Sequence, residues 1–148
     1  MLDGRAHLNV EVKGAAADFA AVSKRLTGVL RARGLMGATL LSSFETGALV
    51  ELRDQAADAR LGVLWQQSDF SDAWRLAEEL GAESIHPHWL LVSSDVVTTA
   101  HDRRLRVLAW TVNAVEDMRE LVGLGVDGIM SDYPERFAAV GGTQGQSG

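Results

Sequence analysis

The 148-residue chain has no cysteine. That excludes a disulfide framework and any thiolate metal site. Positive charge is in short supply: 14 lysines and arginines face 20 acidic residues, a net charge of -6. Nucleic-acid and anionic-membrane surfaces both need a positive footprint, so neither partner is expected. No apolar run approaches the roughly 18 residues of a membrane span, and the Met1–His7 stretch is too short and too polar for a secretory signal. No Gly-x-Gly-x-x-Gly follows a strand-like run, which leaves a dinucleotide-binding reading without support. These absences point to a soluble, cytoplasmic protein. The hydrophobic content of 47% is enough for one ordinary core.

What is present is alternation. Strand-like runs occur at Leu8–Lys13, Ala38–Ser43, Leu61–Trp65, Glu83–His86, Arg106–Thr111 and Val126–Ser131. Helical spacing fills the gaps. Phe19, Val22, Leu26, Val29 and Leu30 recur at three- and four-residue intervals, and Gly34 follows as a C-cap. Glu45–Ala59, Ser71–Leu80, Ser93–Arg103 and Val115–Leu124 behave likewise, with Gly81 and Gly125 at two of the ends and Ser71 and Asp72 as N-cap candidates. Regular strand–helix alternation predicts an α/β domain, a parallel sheet covered by helices, over residues 1–140. A doubly wound sheet and a (β/α)8 barrel both satisfy it, although a full barrel needs eight strands and about 250 residues. Residues 141–148 are Gly-, Gln- and Ser-rich and predict a disordered tail.

On the first run, Asn9, Glu11 and Lys13 alternate with Leu8, Val10 and Val12, so three polar groups share one face. In a barrel that face looks to the axis, and Glu11 and Lys13 lie near the strand's C-terminal end, where barrel sites are built. A carboxylate there can bind a hard cation, and a lysine beside it can bind a phosphate oxygen. The alternative is a half-exposed strand with an ordinary ion pair. Ser43 reads as an N-cap before the helix near Glu45. Trp110 ends the fifth run, where an indole can wall a pocket or pack in the core. Asp132 reads as a loop-orienting group. His86-Pro87-His88 offers two histidines two apart, a weak metal signal without further ligands.

Three segments carry a resemblance: Leu8-Asn9-Val10-Glu11-Val12-Lys13, Trp110-Thr111-Val112-Asn113, and Gly125-Val126-Asp127-Gly128-Ile129-Met130-Ser131-Asp132-Tyr133-Pro134. They are similar to the later part of the glycerophosphodiester phosphodiesterase family, Ca²⁺- or Mg²⁺-dependent barrel enzymes that release an alcohol and glycerol 3-phosphate. The resemblance implies a partial TIM (β/α)8 barrel of about six parallel strands, corresponding to strands three to eight. It makes Glu11 a metal ligand and Lys13 a contact to the substrate phosphate. It places Phe44 and His86 at the substrate mouth and Trp110 on the pocket wall. It supplies no catalytic residue, because the His-Arg-Gly, Glu-Asn-Thr and Glu-x-Asp segments with which members begin are absent from this sequence. The chain is therefore expected to be a weakly active or inactive portion of a metal-dependent hydrolase that takes a glycerophosphodiester or glycerol 3-phosphate. A non-catalytic barrel remnant that binds a phosphate ligand or a protein is the alternative. Six strands leave two open edges, so self-association is also expected.

Overall fold

The computed structural model describes residues 6–140. Six strands form one sheet in sequence order: β1 (Leu8–Glu11), β2 (Thr39–Ser43), β3 (Arg60–Trp65), β4 (Ser84–Pro87), β5 (Arg106–Ala109) and β6 (Gly128–Ile129). Every neighbouring pair is parallel. Parallel neighbours need a crossover, and helices provide it. These are α1 (Phe19–Ala32), α2 (Thr46–Gln55), α3 (Ser71–Leu80), α4 (Ser94–Asp102) and α5 (Val115–Leu124), with a short α6 (Phe137–Val140) after β6. The sheet curls into a half-barrel, six of the eight strands of a (β/α)8 barrel. The curl brings Asn9 Nδ2 of β1 within 3.9 Å of Met130 Sδ, just beyond β6.

Alternation along the strands decides what meets what. Leu41, Leu61, Val63, Ile85 and Val107 are fully or almost fully buried on the convex face. They pack with Phe19 and Leu30 of α1, Leu49 and Leu52 of α2, Leu76 of α3 and Val97 of α4. Ala109, Val112, Met118 and Leu121 form a second, smaller cluster under α5 and α6. The intervening residues face the concave side. There the register sets Glu11 beside Ser42, Ser42 beside Gly62, Gly62 beside Ser84, and Leu64 beside His86.

The elements follow the predicted ones closely, with shifts at their ends. α3 and α5 occupy the predicted residues, and each ends on a glycine in the left-handed region, Gly81 at φ 57° and Gly125 at φ 87°. A side chain at either position would strain the backbone. The helix predicted from Glu45 to Ala59 stops at Gln55, where Ala56 is already extended. α3 is capped neither by Ser71 nor by Asp72. Its first free N–H, on Ser71, donates to Asp69 Oδ1 at 2.9 Å, an earlier residue than the capping pattern indicated. Strand β6 is only two residues long. Met130 still exchanges backbone bonds with Ala109 and Val112, and the chain from Ser131 onward enters a loop that is held by side chains. The tail predicted at 141–148 lies outside the described residues.

At the N-terminal ends of the strands the charges neutralise one another. Glu83 accepts from Arg60 Nε at 2.9 Å and Arg60 Nη2 at 2.8 Å, and also pairs with Arg106. Burial pushes the Glu83 carboxyl up, but the two guanidiniums outweigh it and hold it below the ordinary carboxylate value.

The concave face has little spare room. A methyl group added at Gly62 would lie 2.5 Å from His86 Nε2 and 3.0 Å from Ser84 Oγ, with the His86 ring fully buried. Gly62→Ala is therefore expected to destabilise the fold by about 1–3 kcal/mol, the range of core overpacking. Gly123→Ala, in α5 with open space around it, should be neutral or stabilise by up to about 1 kcal/mol. Urea unfolding of the two variants beside the parent checks this, and equal stabilities for both would refute the crowding.

Candidate active site

The C-terminal ends of the strands surround a cavity of about 260 Å³. Its wall includes Asn9, Glu11 and Lys13 from β1 and its exit, Ser42 and Phe44 from the end of β2, and Trp110 after β5. Alternation on β1 is the cause: Val10 and Val12 pack toward the helices, so Asn9 and Glu11 point the other way. Lys13 Nζ lies 3.3 Å from Glu11 Oε1, with the lysine 74% exposed and the carboxylate 29%. Ser42 Oγ donates to Asn9 Oδ1 at 3.1 Å, which fixes the floor beneath the pair. Ser43 Oγ donates to Val12 O at 2.7 Å and accepts from Glu45 N at 3.0 Å. That one hydroxyl ties the end of β1 to the entrance of α2, a more connected role than a simple N-cap.

Trp110 is held on three sides. Its indole N–H donates to His86 O at 2.7 Å. Phe44 stands edge-on to it with centroids 5.2 Å apart, and His88 does so at 5.1 Å. Edge-to-face contacts of this kind are favourable beyond the area they bury. The peptide bond between Trp110 and Thr111 is cis. The hydrogen bond to His86 and the two aromatic contacts make the indole a fixed wall of the cavity.

His86 itself is not on that wall. Its side chain is fully buried, with Nε2 2.9 Å from Ser84 Oγ and with no partner for Nδ1 among the described residues. Its backbone carbonyl reaches the site through Trp110, while its ring does not. Burial drives the imidazole down to about 4; the Arg106 charge adds to this and Glu83 opposes it. His88 Nδ1 accepts from Leu90 N at 3.4 Å.

Sequence patterning left one organiser unassigned. Asn113 Oδ1 accepts from Ser131 Oγ at 3.2 Å and Asp132 N at 3.1 Å, while its Nδ2 donates to Asp132 Oδ2 at 3.0 Å. Arg136 Nη1 donates to Asn113 O at 2.7 Å. Asp132 therefore orients the loop, as its position suggested. No local pattern announces Asn113, whose partners lie 18 to 23 residues away.

His101 Nε2 on α4 pairs with Asp127 Oδ2 at 2.9 Å before β6, at the opposite end of the sheet from the cavity. Among the described residues there is no group of three or more His, Cys, Asp or Glu side chains that could hold a metal ion. A hard cation such as Ca²⁺ takes six or more oxygen ligands. Glu11 offers one carboxylate, already beside Lys13, so these residues alone do not make a cation site. Among the described residues no helix is long and apolar enough to cross a membrane.

A curled parallel sheet with its polar cavity at the strand C-termini defines a (β/α)-barrel protein with a rim site. The sequence model of the glycerophosphoryl diester phosphodiesterase family matches residues 6–136, and the chain belongs to that family. A glycerophosphodiester phosphodiesterase of Caldanaerobacter subterraneus is 26% identical over 128 residues, 86% of this chain and 52% of that protein. A Silicibacter pomeroyi protein assigned as a glycerophosphoryl diester phosphodiesterase superposes with a TM-score of 0.82 at 31% identity, over 90% of this chain and 49% of that one. An Oleispira antarctica phosphodiesterase, solved with the product sn-glycerol-3-phosphate, superposes at 0.81 with 24% identity, over 90% and 54%. The chain spans about half the length of the relatives it matches.

The buried His86 makes a pH prediction. Its folded value of about 4 lies below the ordinary 6.5, so the unfolded chain binds this proton more readily than the folded one. Stability is then complete above pH 6.5 and falls as pH drops from 6.5 toward 4, by up to roughly 3 kcal/mol in all. The shifted carboxylates, Asp58, Asp69, Glu83 and Asp127, all lie below their ordinary values and act mainly at the acid end of that window. Urea unfolding at half-unit steps from pH 7.5 to 5 tests it. A flat profile would show that the His86 ring meets water.

Proposed function

We propose that this chain supplies the phosphate-binding and pocket-wall half of a glycerophosphodiester phosphodiesterase site. The carrying observation is that Glu11, Lys13, Phe44 and Trp110 line one cavity at the strand C-termini. Lys13, three-quarters exposed, is free to swing from Glu11 to a phosphate oxygen, a charge-assisted contact. Glu11 then contributes one carboxylate ligand to a divalent cation whose remaining ligands belong to the rest of a family site. A cation held there would supply Lewis-acid polarisation of the phosphoryl group. Phe44 and Trp110 form the apolar side of the pocket and exclude water from one flank of the substrate. His86 contributes through its carbonyl, which holds the indole. Glycerol 3-phosphate bound to the Oleispira antarctica relative supports the choice of ligand.

The cavity wall holds one carboxylate and no histidine among the described residues, so on this reading the acid and base belong to the rest of a family site. The chain by itself is expected to hydrolyse glycerophosphodiesters no faster than a blank. Fusion of the preceding portion of a family member ahead of Leu8 should give cation-dependent turnover that Glu11→Ala abolishes. Measurable turnover by the chain alone, lost in Glu11→Ala, would mean that the acid and base are already present. If the fusion folds yet stays inert while the ligand still binds, the reading becomes a non-catalytic phosphate-binding module.

Ligand binding is separable from turnover. Glycerol 3-phosphate should shift the indole resonance of Trp110 in ¹H–¹⁵N spectra, and Lys13→Ala should weaken that binding about ten-fold or more, as loss of a charged hydrogen bond does. An unchanged titration in Lys13→Ala removes the lysine from the phosphate site.

A further inference from the structure

Two surfaces outside the cavity carry exposed apolar side chains. The first is a groove of about 110 Å³ between α5 and the single turn Trp89–Leu91 that follows β4. Trp89, Leu90, Leu121 and Leu124 line it, together with the carboxylates Asp117 and Glu120. Leu121 is almost fully buried, whereas Leu90 is 68% exposed, the highest value for a large apolar residue among those described. On α5 Arg119 pairs with Glu116, and among the described residues neither Asp117 nor Glu120 is in a salt bridge. The groove is thus apolar and carries negative charge that no cation of this chain offsets. The second surface is one flank of α1. Val22 and Val29, two turns apart, are exposed, and Leu26 is half-buried between them. Arg25 and Arg33 fall on the same flank, four residues to either side of Val29. Arg31 points the other way, toward α2, where it bonds Asp58 and the carbonyl of Gln55. Of the cations from Lys24 to Arg33, Arg31 alone is in a salt bridge among the described residues. The nearest acid on the flank, Asp18, is eleven residues from Val29, about 16 Å along the helix.

An apolar groove edged by carboxylates selects an apolar side chain flanked by cations. Val29 between Arg25 and Arg33 is such a group. The two surfaces cannot meet within one chain, because α1 connects β1 to β2 and α5 connects β5 to β6, at opposite edges of the sheet. We propose that α1 of one copy docks on the groove of a second copy, with Val29 seated beside Leu90 and the two arginines paired with Asp117 and Glu120. A contact of α1 with α1 would instead set like charges against each other. The contact is heterologous, so each member of a pair keeps one free groove or one free α1, and association continues beyond the dimer. A few side chains on each copy make a small interface of the weak class, with an expected dissociation constant of about 10–100 μM. Its ion pairs lie at the rim, where salt screens them. The proposal is independent of the phosphodiester reading above.

The test is sedimentation velocity of the whole chain from about 5 to about 500 μM, a range that brackets the expected constant. The average mass should rise above the 15.9 kDa of one chain as concentration increases. Raising the salt from about 0.05 to about 0.5 M should weaken the association at least about five-fold. Two variants separate the surfaces: Val29→Glu closes the helix side, and Leu90→Ser with Glu120→Lys closes the groove side. All three positions are exposed, so both variants keep their fold, which circular dichroism checks. Each variant alone should remain monomeric across the range. Their equimolar mixture contains one intact groove and one intact helix per pair, and should form a 1:1 dimer and nothing larger. Pairing through the open edges of β1 and β6 would persist in both variants, which tells that route apart. A parent chain that stays monomeric, association that survives in either variant alone, or a mixture that stays monomeric would each overturn the proposal.

Discussion

The rim depends on one constraint: a parallel strand must bury one face against helices and so turns its alternate residues the other way. On β1 the valines at 10 and 12 join the core under α1 and α2. Asn9 and Glu11 are thereby committed to the concave side, and Lys13 follows them at the strand's exit. A slip of one residue would reverse every member of the set. Register is therefore a functional quantity here. The ladder from Glu11 to Ser42 to Gly62 to Ser84 carries it across four strands.

The two ends of the sheet differ in how their charges are settled. At the N-terminal ends, Glu83 is shared by Arg60 and Arg106, and Asp127 is held by His101 and by the Val107 backbone N–H. Burial raises the Asp127 carboxyl, yet these bonds and the nearby positive charges keep it below its ordinary value. Groups stabilised in one protonation state and already partnered serve the fold. At the C-terminal ends Lys13 pairs with Glu11 and is mostly exposed. The difference lies in how fully each charge is partnered.

Local periodicity carried most of the architecture, because each unit buries one amphipathic helix on one apolar strand face. α3 and α5 were legible to the residue, since a glycine in the left-handed region ends each. The family and the half-barrel were legible in Glu11, Lys13, Trp110 and the Asp127–Pro134 segment. What stayed hidden depends on groups distant in the chain. Asn113 binds a loop some twenty residues on, and Asp69 rather than Ser71 or Asp72 caps α3. The side-chain fate of His86 was equally hidden. Its position beside a proline suits a rim residue, but Gly62 on the neighbouring strand opens a slot into which the ring fits. Only the pairing of β3 with β4 reveals that slot.

His86 and Trp110 also show how a buried group can shape a site that its side chain never touches. The ring is held neutral beside Ser84, with Gly62 pressed against it, so the strand around it has little freedom. The carbonyl of that same residue accepts the indole N–H of Trp110. Phe44 and His88 then meet the indole edge-on from separate loops. The cavity wall is in this way anchored to the barrel interior, and Phe44 packs against the same indole. A substitution that loosens the Gly62–His86 contact should therefore be felt first as mobility of the Trp110–Phe44 pair, before the strands themselves give way, because the indole N–H bonds to the His86 carbonyl whereas the strands share a continuous ladder.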